Sequence, residues 1–170
     1  MRESRLGLDE TLAAAYIPYS ATSIRDSGTT GFYMSILDIC DETHASVPVT
    51  ASAADAIREM LSKRTGAAAV LDENRVVAGI FTERDVLRKL SLDPRSANDV
   101  PVREVMTTPV TLATRDISMA EALNVMVESH YRHLPIVDEH GRLLGMLSIR
   151  HVLQAKIDDL ASQLQHAQHA

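Results

Sequence analysis

The chain predicts an α+β fold made of two copies of one β-α-β-β-α unit, on three observations. The stretch GIFTERDVL at 79–87 returns as GMLSIRHVL at 145–153, and an offset of 66 residues carries one half of the chain onto the other. Each half alternates strand-like and helix-like apolar patterns in the same order, which marks an internal duplication. Identities at that offset include Ala54/Ala120, Ala56/Ala122, Met60/Met126, Asp72/Asp138, Gly79/Gly145, Arg84/Arg150 and Leu87/Leu153.

Taken in order, residues 1–34 differ from the rest. They hold three of the four tyrosines, and 20–31 is rich in turn formers without a period, so they read as a poorly ordered arm. The patterned sequence begins just after Met34, which makes Met34 a candidate start of the protein. Repeat 1 covers 35–90. It opens with an apolar lead-in at 35–40 and an extended piece at 47–50. Ser52 stands where a helix cap belongs. Ala53, Ala56, Ile57, Met60 and Leu61 then recur with helical spacing, and Gly66 is expected to stop that helix. A strand at 67–71, a turn at 72–75 and a strand at 76–81 form a hairpin, and a helix over 82–90 closes the unit.

The stretch 91–101 (SLDPRSANDVP) reads as a linker by composition. Repeat 2, 102–155, has its lead-in at 102–106 and an extended piece at 110–113. A helical face follows on Met119, Ala122, Leu123, Met126 and Val127. Strands at 134–137 and 142–147 flank a turn, and a helix begins at Ser148. Repeat 1 reads three residues shorter between Val49 and Ala56 than repeat 2 between Leu112 and Ala122. In the extension and tail, 156–170, the last helix continues a stripe of Leu153, Ile157, Leu160 and Leu164. Its steps of 4, 3 and 4 suit packing on the same domain or support of a dimer.

Composition narrows the function. Hydrophobic content is 45% and the net charge is -6, with no Trp and Phe81 the only aromatic between Tyr33 and Tyr131. Phosphate-backbone binding therefore lacks electrostatic support and stacking platforms, and no nucleic-acid partner is expected. Cys40 is alone, so no disulfide framework or cysteine metal cluster is expected. Arg2 and Arg5 precede only a short apolar patch after Asp9 and Glu10, unlike a signal peptide. No apolar run approaches membrane-spanning length. The expectation is a soluble cytoplasmic protein without a membrane partner.

The candidate site lies where strand gives way to helix. Thr82 and Ser148 fall at N-cap positions, and Asp85 falls in the first turn, where free N–H groups and the helix dipole favour negative charge or a phosphate. Thr82-x-x-Asp85 also fits a capping box that needs no ligand, and a capping side chain can be recruited by one. His130-x-x-His133 has no second pair at metal-ligand spacing, so no metal is expected; His166-x-x-His169 sits in a polar tail. Cys40 lies in an apolar segment, no nucleophile elbow or Walker loop occurs, and Asp72/Glu73 and Asp138/Glu139 fall in turns. Nothing suggests an enzyme.

The tandem order, each unit closing on Gly-x-x-Thr/Ser before a helix, resembles a CBS domain pair of the stand-alone, two-repeat type (a Bateman module). The resemblance covers 35 to about 155 and rests on VMT at 105–107, RHLPIVD at 132–138 and GIFTERD at 79–85. It implies two repeats packed with pseudo-twofold symmetry around two clefts, and a regulatory module that binds AMP, ATP, NAD or another adenosine derivative rather than an enzyme. It also implies a homodimer formed through the helices and a protein effector of unknown identity, with no required cofactor.

Carried onto this chain, the resemblance pairs Thr82 and Asp85 with Arg132, His133 and Leu134. Asp85 would hold the ribose hydroxyls, Thr82 and Arg84 the phosphate, and Thr114 and Asp116 would border the cleft. A second, weaker cleft would pair Ser148 and Arg150 with Gly66, Ala67 and Ala68. There His151 replaces the acid, and Ala69 stands where Pro135 does. A neutral imidazole accepts one hydrogen bond, not the pair a carboxylate takes.

Overall fold

Strands that are apolar at every position need cover on both faces, and the computed structural model supplies it. It describes residues 35–40 and 43–168; the expected N-terminal arm and Met34 lie outside the described residues. β1 (Ala45–Pro48) runs parallel to β2 (Ala67–Leu71), which pairs antiparallel with β3 (Val77–Thr82). β4 (Ala113–Thr114), β5 (His133–Val137) and β6 (Leu143–Ser148) repeat that arrangement in a second sheet. α1 (Ala53–Lys63) and α4 (Met119–Glu128) link the parallel strands. α2 (Glu83–Asp85) follows the first hairpin and runs into a π turn at Val86–Leu90. α3 (Val102–Val105) leads into repeat 2, and α5 (Ile149–Gln168) follows the second hairpin.

Strand alternation sorts the side chains between two layers. Ala67, Ala69 and Leu71 enter a core shared with Leu112, Val137 and Met146 of repeat 2. Ala68, Val70 and Phe81 face the opposite way, onto Ala53, Ala56 and Met60 of α1. Leu134, Ile136 and Leu147 do the same in repeat 2 with Ala122, Met126 and Val152. The sheets thus sit back to back with helices outside, related by a pseudo-twofold axis. No helix among the described residues is long and apolar enough to cross a membrane.

Register makes the duplication stricter than the sequence suggests. Val47 opposes Val70 and Ala113 opposes Ile136, and both hairpins slip at equivalent places, Val70/Leu71 and Ile136/Val137. The 66-residue offset therefore runs unbroken through the first strands. The apparent shortening of repeat 1 came from setting Val49 against Leu112, whereas the strand pairing sets Val47 against Ala113.

The lead-ins cross over. Ile36, in a 3-10 turn at Ile36–Ile39 capped by Ser35, packs into the core of repeat 2. Val102, Val105 and Met106 pack into the core of repeat 1. Nor is 91–101 a free linker, because Val100 is buried there too and Ala97 packs against the same core. The carbonyls of Val100 and Ala97 accept from the N–H groups of Ala53 and Ala54 at 2.8 and 3.0 Å, satisfying donors that the first turn of α1 leaves open.

Two helix expectations need correction. α1 ends at Arg64, which adopts the left-handed conformation at φ 52, and not at Gly66. Leu61 and Val127, at equivalent positions, are 71% and 55% exposed although they match the helical spacing. They sit at the edge of an apolar face wider than the sheet beneath it. Leu153, Ile157, Leu160 and Leu164 are exposed as well, so the stripe on α5 does not pack on its own repeat.

Candidate functional site

At the first corner Thr82 caps α2, and the Asp85 N–H donates to its hydroxyl at 3.3 Å. Asp85 returns the favour: its Oδ2 accepts from the Thr82 N–H at 2.9 Å and the Thr82 hydroxyl at 2.7 Å. Its Oδ1 accepts from the Thr107 hydroxyl at 2.8 Å and pairs with Lys89 Nζ at 2.9 Å. Only 5% exposed, Asp85 is the single buried polar or charged side chain among the described residues. Burial pushes its pKa up, but the hydrogen bonds from Thr82, Lys89 and Thr107 outweigh that, and the carboxyl titrates below its ordinary range. The capping box is therefore formed, and both carboxylate oxygens are engaged within the chain.

Thr107 reaches this corner because its segment adds to the edge of the first sheet. Ile80 and Thr107 exchange backbone hydrogen bonds of 3.1 and 2.7 Å, and Lys89 Nζ donates to the Met106 carbonyl at 2.8 Å. Gly79 permits the approach: a Cβ there would lie 2.5 Å from Met106 Sδ and 3.1 Å from the Thr107 carbonyl oxygen. Sequence reasoning missed Lys89 and Thr107 as members of the site. The traces they left were the glycine of GIFTERD and the threonine of VMT.

At the second corner Ser148 opposes His133 across the hairpin, and the His151 N–H donates to its hydroxyl at 3.3 Å. His151 Nδ1 is buried without a hydrogen-bond partner. His133 is pushed down to about 4, first by burial and then by the positive charges of Arg132, Arg150 and His151. A Cβ on Gly66 would come within 3.0 Å of Glu83 Oε2 and 3.3 Å of His133 Cε1. Arg132 stands 3.8 Å from Glu83, both side chains being largely exposed. Gly66, assigned to the second cleft, thus touches His133, assigned to the first. The two corners adjoin.

Other expected residues are placed differently. Ala67, Ala68 and Leu134 are fully buried, so only their backbone can reach a ligand from these positions. Arg84 and Arg150 are exposed. Thr114 opposes Val137, at the end of β5 away from His133, a separation of about 13 Å along the strand. Thr114 and Asp116 therefore do not border the Thr82–Asp85 corner. They line a cavity of about 1060 Å³ at the hairpin-turn end of the sheets. Among the described residues no group of three or more His, Cys, Asp or Glu converges as a metal site.

Comparison with known proteins adds to this geometry. A family model described as CBS domain matches residues 36–92 and 102–158. An uncharacterized 17.7 kDa protein of Acidianus ambivalens is 37% identical over 105 residues, 62% of each chain. The present chain thus spans less than two thirds of that relative's length. A solved protein with CBS domains from Burkholderia ambifaria is 35% identical, with a TM-score of 0.66 over 73% of this chain and 92% of that one. A CBS domain protein from Pyrobaculum aerophilum, solved in complex with AMP, shares the fold at 24% identity, with a TM-score of 0.61 over 69% and 89% of the two chains.

Proposed function

The chain belongs to the CBS domain family as a tandem pair, and from that premise we propose that it is a regulatory sensor of an adenosine-containing ligand such as AMP, ATP or NAD. The observation that carries the reading is the state of Asp85. A hydroxyl (Thr107) and an ammonium (Lys89) donate to the carboxylate where the two hydroxyls of a ribose would. A nucleotide exchanges these donors for its own. The N–H groups of Thr82, Glu83 and Asp85 are bonded within the chain, so its phosphate falls to the exposed Arg84 and Arg132, with His133 nearby.

Signalling follows from the same exchange. Thr107 directly follows the lead-in of repeat 2 and is held on the edge of repeat 1, so displacing it alters the join between the repeats. A ligand shifts such an equilibrium only by its unequal affinity for the two arrangements. The readout passes to an effector protein from a cytoplasmic homodimer, with neither nucleic acid nor membrane as partner.

Thermal unfolding of the full chain against AMP, ATP, NAD and S-adenosylmethionine tests the proposal. A ligand at about 100 times its Kd adds about 2.7 kcal/mol to the native state. The shift is expected to vanish in Asp85→Asn, which keeps a capping side chain but loses a negative paired acceptor. If none of the four moves the wild-type transition, the reading fails for this class.

A second reading, a ligand-independent dimerisation module, draws on the exposed stripe of Leu153, Ile157, Leu160 and Leu164. Sedimentation is expected to give a dimer for the wild type and a monomer for the double variant Ile157→Asp/Leu160→Asp. A monomeric wild type would end both the homodimer and this reading.

A further inference from the structure

The cavity at the hairpin-turn end lies apart from both corners. Neither Thr82, Asp85, His133, Ser148 nor His151 lines it. Its floor is apolar, formed by Leu71, Val77, Ala78, Leu112 and Val137, and its volume of about 1060 Å³ is ample for a small molecule. Where the repeats meet, the Val77 N–H donates to the Gly141 carbonyl at 3.1 Å.

The rim is acidic on both sides. Asp72 and Asp138 each use one oxygen, Oδ1, to accept two backbone N–H groups of their own turns. Glu139 lies 4.0 Å from Arg115 and 3.8 Å from His140. Glu73, in the turn of repeat 1, and Asp116, in the loop of repeat 2, are exposed, and neither takes part in the ion pairs or side-chain hydrogen bonds just described. Two exposed carboxylates from opposite repeats thus line the same apolar cavity, where acids outnumber the one Arg115 guanidinium.

We propose that this cavity is a second ligand site, for an aliphatic diamine or similar organic dication whose apolar spacer covers the floor while its ammonium groups meet Glu73 and Asp116. The proposal is independent of the nucleotide reading. Duplication explains part of the layout: the equivalent turns carry Asp72/Glu73 and Asp138/Glu139, whereas Asp116 comes from the loop between β4 and α4, where repeat 1 has Thr50. An extended dication matches acids drawn from separate segments better than a compact ion.

The test is thermal unfolding of the full chain with octamethylenediamine, and with octylamine at the same ionic strength. The diamine is expected to give a saturable rise in Tm that octylamine does not match. The rise should be lost in Glu73→Gln/Asp116→Asn, whose own Tm stays near wild type because both positions are exposed, and kept in Asp85→Asn. Three outcomes overturn the proposal: no saturable shift with the diamine, the same shift in the double variant, or an equal response to octylamine.

Discussion

Asp85→Ala is expected to lower folding stability by about 3 kcal/mol, the low end of the cost of breaking a buried ion pair. For a chain of this length that is about 6–12 °C in Tm. The low end applies because Lys89 is 38% exposed at its side chain and keeps the Met106 carbonyl, so it is not stranded in a dry core. What is stranded is the Thr82 N–H, and the Thr107 hydroxyl loses its acceptor. Asp85→Asn keeps an oxygen for the cap and should cost about 1.5–2 kcal/mol, the lower part of the range for hydrogen bonds to a charged group. Denaturant titration at unchanged m-value reads both. A loss below about 0.5 kcal/mol for the alanine variant, the range of ordinary surface changes, would mean that the carboxylate is not held as described.

The pH dependence of that contribution has a fixed sign. The folded carboxyl titrates below its ordinary range, so the folded state holds fewer protons than the unfolded chain as the medium turns acid. The stabilisation is complete above the ordinary carboxylate range and fades as pH falls through it toward the folded value. Asp85→Asn removes this part of the acid limb.

Much of the fold was legible because local and long-range signals coincide. Ser52, Thr82 and Ser118 each sit three residues before an acid that completes a capping box, so a short sequence pattern and the tertiary start of the helix agree. The hairpins were equally plain, since apolar runs are punctuated by Asp72–Arg75 and its repeat. What escaped the sequence was exchange between the repeats. No pattern within 35–40 says that Ile36 belongs to the core of repeat 2, nor within 91–106 that Val100, Val102 and Val105 belong to repeat 1. Pairwise contacts of that range leave no period. Gly79 was the nearest thing to a signal, a glycine in a strand where another backbone passes close.

The site was half visible for the same reason. Thr82 and Asp85 are neighbours in sequence, so their pairing could be read directly, while Thr107 reaches Asp85 across 22 residues and Lys89 reaches it from the π turn that follows α2. The two expected clefts adjoin at Gly66, which the fold brings beside His133, a proximity that no pattern within either repeat displays.

That junction leads to the second large effect. The wild type is expected to lose about 2 kcal/mol between neutral pH and pH about 4 through His133 alone, within the ceiling set by about 1.4 kcal/mol per pKa unit. In the unfolded chain the imidazole takes its proton near 6.5, whereas in the folded chain it resists until about 4. The stabilisation is whole above 6.5 and is lost as pH falls through that window, because the unfolded state binds the proton first. His133→Gln should flatten the stability profile over this range, so that it departs from wild type there, and leave the more acid limb of Asp85 in place, so the two groups separate by pH. Burial is the leading cause and the charges of Arg132, Arg150 and His151 follow, so Arg150→Gln should recover only part of the effect. Full recovery in Arg150→Gln would make charge, not burial, the reason that His133 stays neutral. A wild-type profile with no difference from His133→Gln would show that the imidazole is solvated and that the corners do not close on it.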